Sequence, residues 1–344
     1  LLLTGFGIKD SLNDLMQKQF EEIQLYDATI LLNEKEEIDQ ETITKFFDQQ
    51  NITDYLATHI ESFTFKAQNK NLSFSLVAVI DDKPMDDFIV LNDLNGNALE
   101  LSDNGVIITQ KMAEMLDVKI GENIAIRNTD NELYFVNVAA ICENYINNYL
   151  YMNETYYHKI FTDTSYNSYL VNLDSNIDKE TLATQVMNQN TFSMIQYTED
   201  NMDMFEDIIA GMNNIVYLII AFSTFLAITV LYNLTIININ ERRREIATLK
   251  VLGFHDKEVS IYVYRETIIL TILGILVGIL FGFSLNAFVL MIAETDEILF
   301  TKEITLLSYF ISFLIIILFS IIVQIVTHFI LKKIDMLDSL QSVE

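Results

Sequence analysis

The sequence predicts an α-helical membrane bundle, with three complete spans and a fourth truncated at the N-terminus, carrying an inserted α+β extracytoplasmic domain on helical stalks. Three observations lead there. Residues 215–239, 267–293 and 304–331 are apolar runs without a Lys, Arg, Asp or Glu, each long enough to cross a hydrocarbon core of ~30 Å at ~1.5 Å per helical residue. Residues 1–214 hold 12 Lys+Arg against 36 Asp+Glu, a net charge of −24, whereas the remainder holds 9 against 12, a net −3. The basic residues of that remainder gather between the first two runs (Arg242, Arg243, Arg244, Lys250, Lys257, Arg265) and after the third (Lys332, Lys333), while the loop between the second and third is acidic. Basic loops stay in the cytoplasm. Segments 241–266 and 332–344 are therefore expected inside, and the loop 294–303 and the large acidic domain outside.

The acidity argues against nucleic acid as a partner, because phosphates require a basic face. One cysteine, Cys142, permits no intramolecular disulfide. The opening residues 1–8 read as the end of a truncated transmembrane helix. Residues 9–25 follow as a stalk helix with Leu12, Met16, Phe20 and Ile23 on one face.

The extracytoplasmic domain is expected over 26–198, with a β-rich subdomain at about 70–153. Strands are predicted at 26–33 and around 59–65, with a helix around 41–49 between them. Residues 73–80 alternate as a strand does, and Pro84 marks a loop. Strand 106–108 leads through Thr109, a helix N-cap, into a helix at 110–116, then strands at 123–127 and 133–143 joined by a polar turn. The last part reads as strand 169–173, helix 178–188 and strand 192–197, a βαβ-type outer part interrupted by the β-rich insertion. Tyr145, Tyr149, Tyr151, Tyr156 and Tyr157 suit interleaved strand positions, core and surface; a ligand-contacting patch is the alternative.

From Thr198 no helix breaker intervenes until about Asn240 except Gly211. An acidic first turn suits the helix dipole. Met202, Phe205, Ile209, Met212, Val216 and Ile219 recur at spacings of 3 and 4, a short heptad seam. The seam makes 199–214 a second stalk ahead of the span 215–240, or else an ordinary packing face. In the next span, 267–293, Gly274, Gly278 and Gly282 stand four apart, which allows another helix close approach. Asn286, Gln324 and His328 are polar in or near spans and suit interhelical hydrogen bonds better than a transport path.

Residues 241–253, ERRREIATLKVLG, lie between two spans. Ile246, Leu249 and Leu252 recur at helical spacing, and Gly253 follows as a C-terminal cap. The segment reads as a short helix at the membrane surface offering its apolar face to a partner, or as a basic topology signal and no more.

The run from Asn233 to Glu266 resembles the signature of the FtsX-like permease family, the membrane part of MacB-type ABC systems. The matching residues are Asn233, Glu241, Arg242, Arg243, Glu245, Ile246, Leu249, Lys250, Gly253 and Glu266. The resemblance implies a coupling helix, Arg244 and Leu252 included, docking on a dimeric cytoplasmic ABC ATPase. Mg-ATP would then be held by that partner, with no cofactor, metal or catalytic residue in this chain. It implies a second permease half or copy beside this one in the bilayer, and a first transmembrane helix where the chain starts, as in the C-terminal half of a large Gram-positive member. The expected function is to transmit ATP-driven motion to the outer domain, for export or extraction of a lipid, peptide or antimicrobial compound. A membrane sensor, or an activator of cell-wall hydrolases, is the alternative. No Walker-type glycine loop, His/Cys pair at metal spacing or nucleophile motif occurs.

Overall fold

The computed structural model describes residues 1–33, 40–67, 70–81, 83–161, 166–174 and 176–332. The chain divides into two compact units. Leu1–Leu12, Ala210–Ala293 and Lys302–Glu344 form one; Asn13–Ile209 and Glu294–Thr301 form the other. In chain order the elements are α1 (Leu2–Gln17), β1 (Ala28–Leu32), α2 (Gln40–Gln49), β2 (Asp54–Ala67), β3 (Lys70–Val79) and β4 (Val106–Thr109). Next come α3 (Gln110–Leu116), β5 (Asn123–Arg127), β6 (Leu133–Cys142), β7 (Tyr149–Asn153), α4 (Glu154–Ile160) and β8 (Ser168–Asn172). Then follow α5 (Lys179–Met187), β9 (Phe192–Tyr197), α6 (Thr198–Glu241), α7 (Arg243–Val251), α8 (Asp256–Ala293) and α9 (Leu306–Lys332).

The α+β unit contains two interlocked split βαβ units. β8 runs antiparallel to both β1 and β2, and β1 antiparallel to β9. The order β2-β8-β1-β9 therefore places one strand between the parallel members of each pair, β1/β2 and β8/β9. This is the ferredoxin-like arrangement. Alternation does the rest: Ala28, Ile30 and Leu32 of β1 face the helices, where Ile43, Phe46 and Phe47 of α2 and Leu182 and Val186 of α5 cover them. Phe47 meets Tyr169 edge-on, ring centroids 5.2 Å apart.

Between β2 and β8 the insertion closes into a barrel. β2 is long enough to serve twice: Asp54–Thr58 pair with β8, and Thr58–Ala67 pair with β3. From β3 the ring runs through β7, β4, β6 and β5 and returns to β2 at Thr64 and Phe65. Six strands so joined leave no open edge. Phe63, Phe65, Phe74, Leu76, Ile108, Ile124, Ile126, Val136 and Leu150 fill the core.

Two sequence expectations change here. Tyr156 and Tyr157 stand on a helix, α4, where interleaved strand positions were expected. Asn153 caps it by accepting from the Tyr156 amide at 2.9 Å. The strand expected around 59–65 begins five residues earlier, because β8 supplies a partner for the Asp54–Thr58 stretch that local pattern does not reveal.

In the helical unit, α6, α8 and α9 are each long and apolar enough to cross a membrane. Most of their apolar side chains lie on the unit's surface, Phe222, Phe225, Leu280, Phe281 and Leu306 among them. Backbone donors and acceptors are satisfied within each helix, which leaves hydrocarbon as the fitting solvent. Of the segment 332–344, read as a cytoplasmic tail, residues 333–344 lie outside the described residues.

Candidate functional site

The short helix α7 is bent off the end of α6 at Arg242, whose backbone leaves helical geometry (φ −99°, ψ 12°). Arg242 forms a salt bridge with Glu266 of α8. The end of α7 is a Schellman motif. The Phe254 amide donates to the Leu249 carbonyl at 3.2 Å, the Gly253 amide donates to the Lys250 carbonyl at 3.1 Å, and Gly253 takes φ +92°. That left-handed position suits glycine, which has no Cβ to clash. His255 then starts α8, its amide donating to the Glu258 carboxylate at 2.9 Å, one half of a capping box.

The apolar face of α7 is divided. Ile246 is fully buried in a cluster with Ile239 of α6 and Val259 and Val263 of α8, and Leu249 packs partly against it. The expectation that Ile246, Leu249 and Leu252 form one outward face is corrected: Ile246 holds α7 onto its own chain. Leu252, 70% exposed, and its neighbours Val251 and Phe254 are the apolar side chains left outside. Glu241, Arg243, Arg244 and Glu245 are exposed beside them, and Lys250 is half-buried.

Of the glycine stripe, only Gly282 meets another helix of the unit: a Cβ there would lie 3.0 Å from the Leu3 side chain. Gly274 and Gly278 have open space and line a cavity of about 560 Å³. The closest approaches belong to α1. A Cβ on Gly5 would come within 2.6 Å of Ile220, and one on Gly7 within 2.7 Å of the Asn286 amide oxygen. Asn286 is fully buried, and neither atom of its amide has a hydrogen-bond partner among the described residues. His328 bonds Ser260 across α8 and α9 at 2.8 Å, and the Gln324 carbonyl accepts from the Tyr264 hydroxyl at 2.6 Å. Asp10 of α1 accepts from both the amide and the hydroxyl of Thr305, at 2.9 Å each, directly ahead of α9. A carboxylate there suits the positive end of the helix dipole.

Within the α+β unit, the chain after α1 winds a π-helical turn, Lys18–Ile23. Phe20 on that turn lies against Phe205 of α6, ring centroids 6.3 Å apart. Ile23 is buried, and Met16, Met202 and Ile209 are half-buried. In the helical unit Leu12 is fully buried, Met212 half-buried, and Lys9 stands over the Tyr217 ring at 5.7 Å.

The π turn also carries a buried glutamine. Gln19 is 1% exposed. Its carbonyl accepts from the amides of Tyr145 and Ile146 at 2.9 and 3.0 Å, and its amide donates to Asn144 at 3.1 Å. The segment it grips pairs in turn with the α8–α9 loop. The Asn147 amide donates to the Glu297 carbonyl at 2.7 Å, the Leu299 amide donates to the Tyr145 carbonyl at 2.9 Å, and Ile146 bridges Ile298. Asn148 donates to the Asp296 carbonyl at 2.9 Å. Lys111 and Glu294 form an ion pair at 3.2 Å, 14% and 9% exposed. The loop from Glu294 to Thr301 is thus built into the α+β unit, although helices of the other unit flank it.

Residues 217–335 match the family model described as FtsX-like permease C-terminal. Over those residues the chain is similar to FtsX-like permease C-terminal domains. No curated protein matches the chain. The periplasmic region of MacB from Actinobacillus actinomycetemcomitans is similar to 56% of this chain over 97% of its own, at 12% identity and a TM-score of 0.33. The extracellular domain of the noncanonic ABC-type transporter YknZ from Gram-positive bacteria is similar to 50% of this chain over 98% of its own, at 16% identity and a TM-score of 0.31.

The matched stretch contains α7, its Schellman end and the Arg242–Glu266 bridge. Sequence reading missed Gln19, Gly5, Gly7, Asp10 and the docking of the loop. Only the small residues in an apolar helix carried a usable signal. Among the described residues no group of three or more His, Cys, Asp or Glu is placed to hold a metal ion. Cys142 is fully buried, and burial pushes its thiol up to about 12, so it is a poor nucleophile at neutral pH.

Proposed function

We propose that the chain is the permease subunit of an ABC-type system, transmitting the motion of a cytoplasmic ATPase dimer to its α+β unit for export or extraction of a lipid, peptide or antimicrobial compound. The observation that carries this reading is the FtsX-like domain with α7 set between two long apolar helices. In this reading Val251, Leu252 and Phe254 enter the ATPase surface and the arginines of α7 frame them. Glu241 to Gly253 act as one coupling device, Ile246 and Leu249 serving as its internal anchor. ATP and Mg²⁺ belong to the partner. The chain works beside a second permease half or copy in the bilayer.

The test is copurification with a cytoplasmic ABC ATPase coexpressed with the chain. Burying an apolar side chain of this size is worth ~1.5–3 kcal/mol. Leu252→Glu with Phe254→Glu is therefore expected to weaken association at least about tenfold and leave the membrane protein folded, whereas Ile246→Glu unfolds α7 from its own chain. Unchanged copurification of the Leu252/Phe254 variant sinks the docking assignment.

Orientation has its own check. Cysteine at Lys302 or Glu303, both exposed, is expected to react with an impermeant thiol reagent on intact cells. Cysteine at Phe254 is expected to react only after lysis. The reverse pattern overturns the arrangement with the loop outside and α7 inside.

A further inference from the structure

The α+β unit holds a cavity of about 390 Å³ that the coupling reading does not use. Its origin lies in the sheet. One face of β1 is sealed by α2 and α5, but Thr29 and Leu31 point to the other face, and with Gln196 of β9 they form an uncovered floor. One wall is the barrel, where Tyr149 and Tyr151 of β7 lie stacked with centroids 5.7 Å apart. The opposite wall is the Phe20–Phe205 pair. The volume falls within the ~300–1,000 Å³ of small-molecule sites, and aromatic walls with a few hydroxyls and amides are their usual lining.

The lining also selects for charge. Among the described residues that line the cavity none is basic, and the single charged one is Glu297 at the rim. The aromatic faces carry the negative side of their quadrupoles, which attracts a cation. Burial holds Tyr26, Tyr149 and Tyr151 above the usual phenol range, so these rings stay neutral. Gln24 donates to the Tyr149 hydroxyl at 3.2 Å, which fixes that ring beside the cavity. Asn13–Ile209 with Glu294–Thr301 carries 11 Lys+Arg against 38 Asp+Glu, a field that concentrates cations and repels anions.

We propose that this cavity is a binding site for a small monocationic amphiphile, an amine or quaternary ammonium on an apolar body, with the cation against the tyrosine and phenylalanine faces and Glu297 at the entrance. The site stands on the α+β unit alone. Its failure leaves the ATPase docking experiment untouched, and failure of that docking leaves the cavity as it is.

The test uses the full chain in lipid nanodiscs, titrated calorimetrically with benzyltrimethylammonium, with the neutral N,N-dimethylbenzamide of similar size, and with phenylacetate, each corrected against empty nanodiscs. The cation is expected to bind at least about tenfold more tightly than the amide, as a desolvated cation–π contact implies, and phenylacetate not at all. Leu31→Trp fills the cavity and is expected to abolish binding without shifting the melting temperature; Thr29→Phe is the second filling variant where tryptophan disturbs the sheet. Glu297→Gln is expected to weaken the cation only severalfold, since its carboxylate is exposed. Heats equal to those of empty nanodiscs, equal affinity for all three probes, or binding retained in both folded filled variants overturns the proposal.

Discussion

Replacing Gln19 by methionine is expected to destabilise the α+β unit by several kcal/mol and to release the α8–α9 loop from it. Methionine keeps the volume and removes only the hydrogen bonds. The Tyr145 and Ile146 amides then lose their acceptor at a site where Gln19 and Asn144 are each 1% exposed, so water cannot replace it. An orphaned buried donor costs ~1–3 kcal/mol, and there are two. That is a large share of the ~5–15 kcal/mol by which a domain is typically stable. The effect has an address as well as a size, because the loosened segment 145–147 is the one that pairs with Glu297 and Leu299. Hydrogen exchange of the variant is expected to accelerate together at 145–147 and 297–299, and the apparent melting temperature to fall. Gln17→Met, one turn end away and exposed, is the control and is expected to change neither. Unaltered exchange at both segments rejects the clamp.

What made Gln19 invisible in the sequence is the distance to its partners. Four residues after buried Leu15 and seven after buried Leu12, it lies on the inner face of the helix, but no local pattern says that a polar side chain there meets the Tyr145 and Ile146 amides more than a hundred positions away. The docked loop was illegible for the same reason: 294–303 is acidic and short, and only its distant partners at 145–148 decide that it is part of a sheet-like contact. Local signals fared better. β5 at Asn123–Arg127 and β9 at Phe192–Tyr197 are legible to the residue, because alternation and turn residues at each end specify them. The three apolar helices are legible from the absence of charge over lengths that no water-soluble element needs. Periodicity identified Ile246, Leu249 and Leu252 as one face, but it cannot say what covers a face. Val259 and Val263 cover Ile246, and the bend at Arg242 that brings them together is a tertiary event. Glycine spacing misled similarly. Three glycines four apart suggest a seam, yet Gly5 and Gly7, two apart on α1, make the tighter contacts, since the distance between helices depends on both surfaces.

Cysteines at Phe20 and Phe205 are expected to crosslink in a nucleotide-dependent manner, and this is the measurement on which mechanical transmission stands or falls. The two rings meet with centroids 6.3 Å apart. Replacing both rings by cysteine removes the bulk that fills this contact, and a short bifunctional thiol reagent is the fitting probe because it does not demand the narrow Cα separation of a disulfide, within ~7 Å. The native Cys142 need not be replaced, being fully buried with its thiol pushed up to about 12. Leaving it avoids placing a serine hydroxyl in an apolar core, a cost of ~1–3 kcal/mol where no partner exists. If closure of the ATPase moves α6 along or about the turn that carries Phe20, the distance between the two positions differs between nucleotide-free and vanadate-trapped complexes. Crosslinking yield is then expected to differ severalfold between these states, and the crosslinked protein to retain ATP hydrolysis in the partner while losing the nucleotide-dependent change in the α+β unit. The comparison pair is Lys45→Cys with Glu41→Cys, one turn apart on α2, whose yield is fixed by a single helix and is expected to stay constant. Equal yields at positions 20 and 205 in both states, with the α2 pair also constant, show that force does not pass through this contact and remove the stalk from the mechanism.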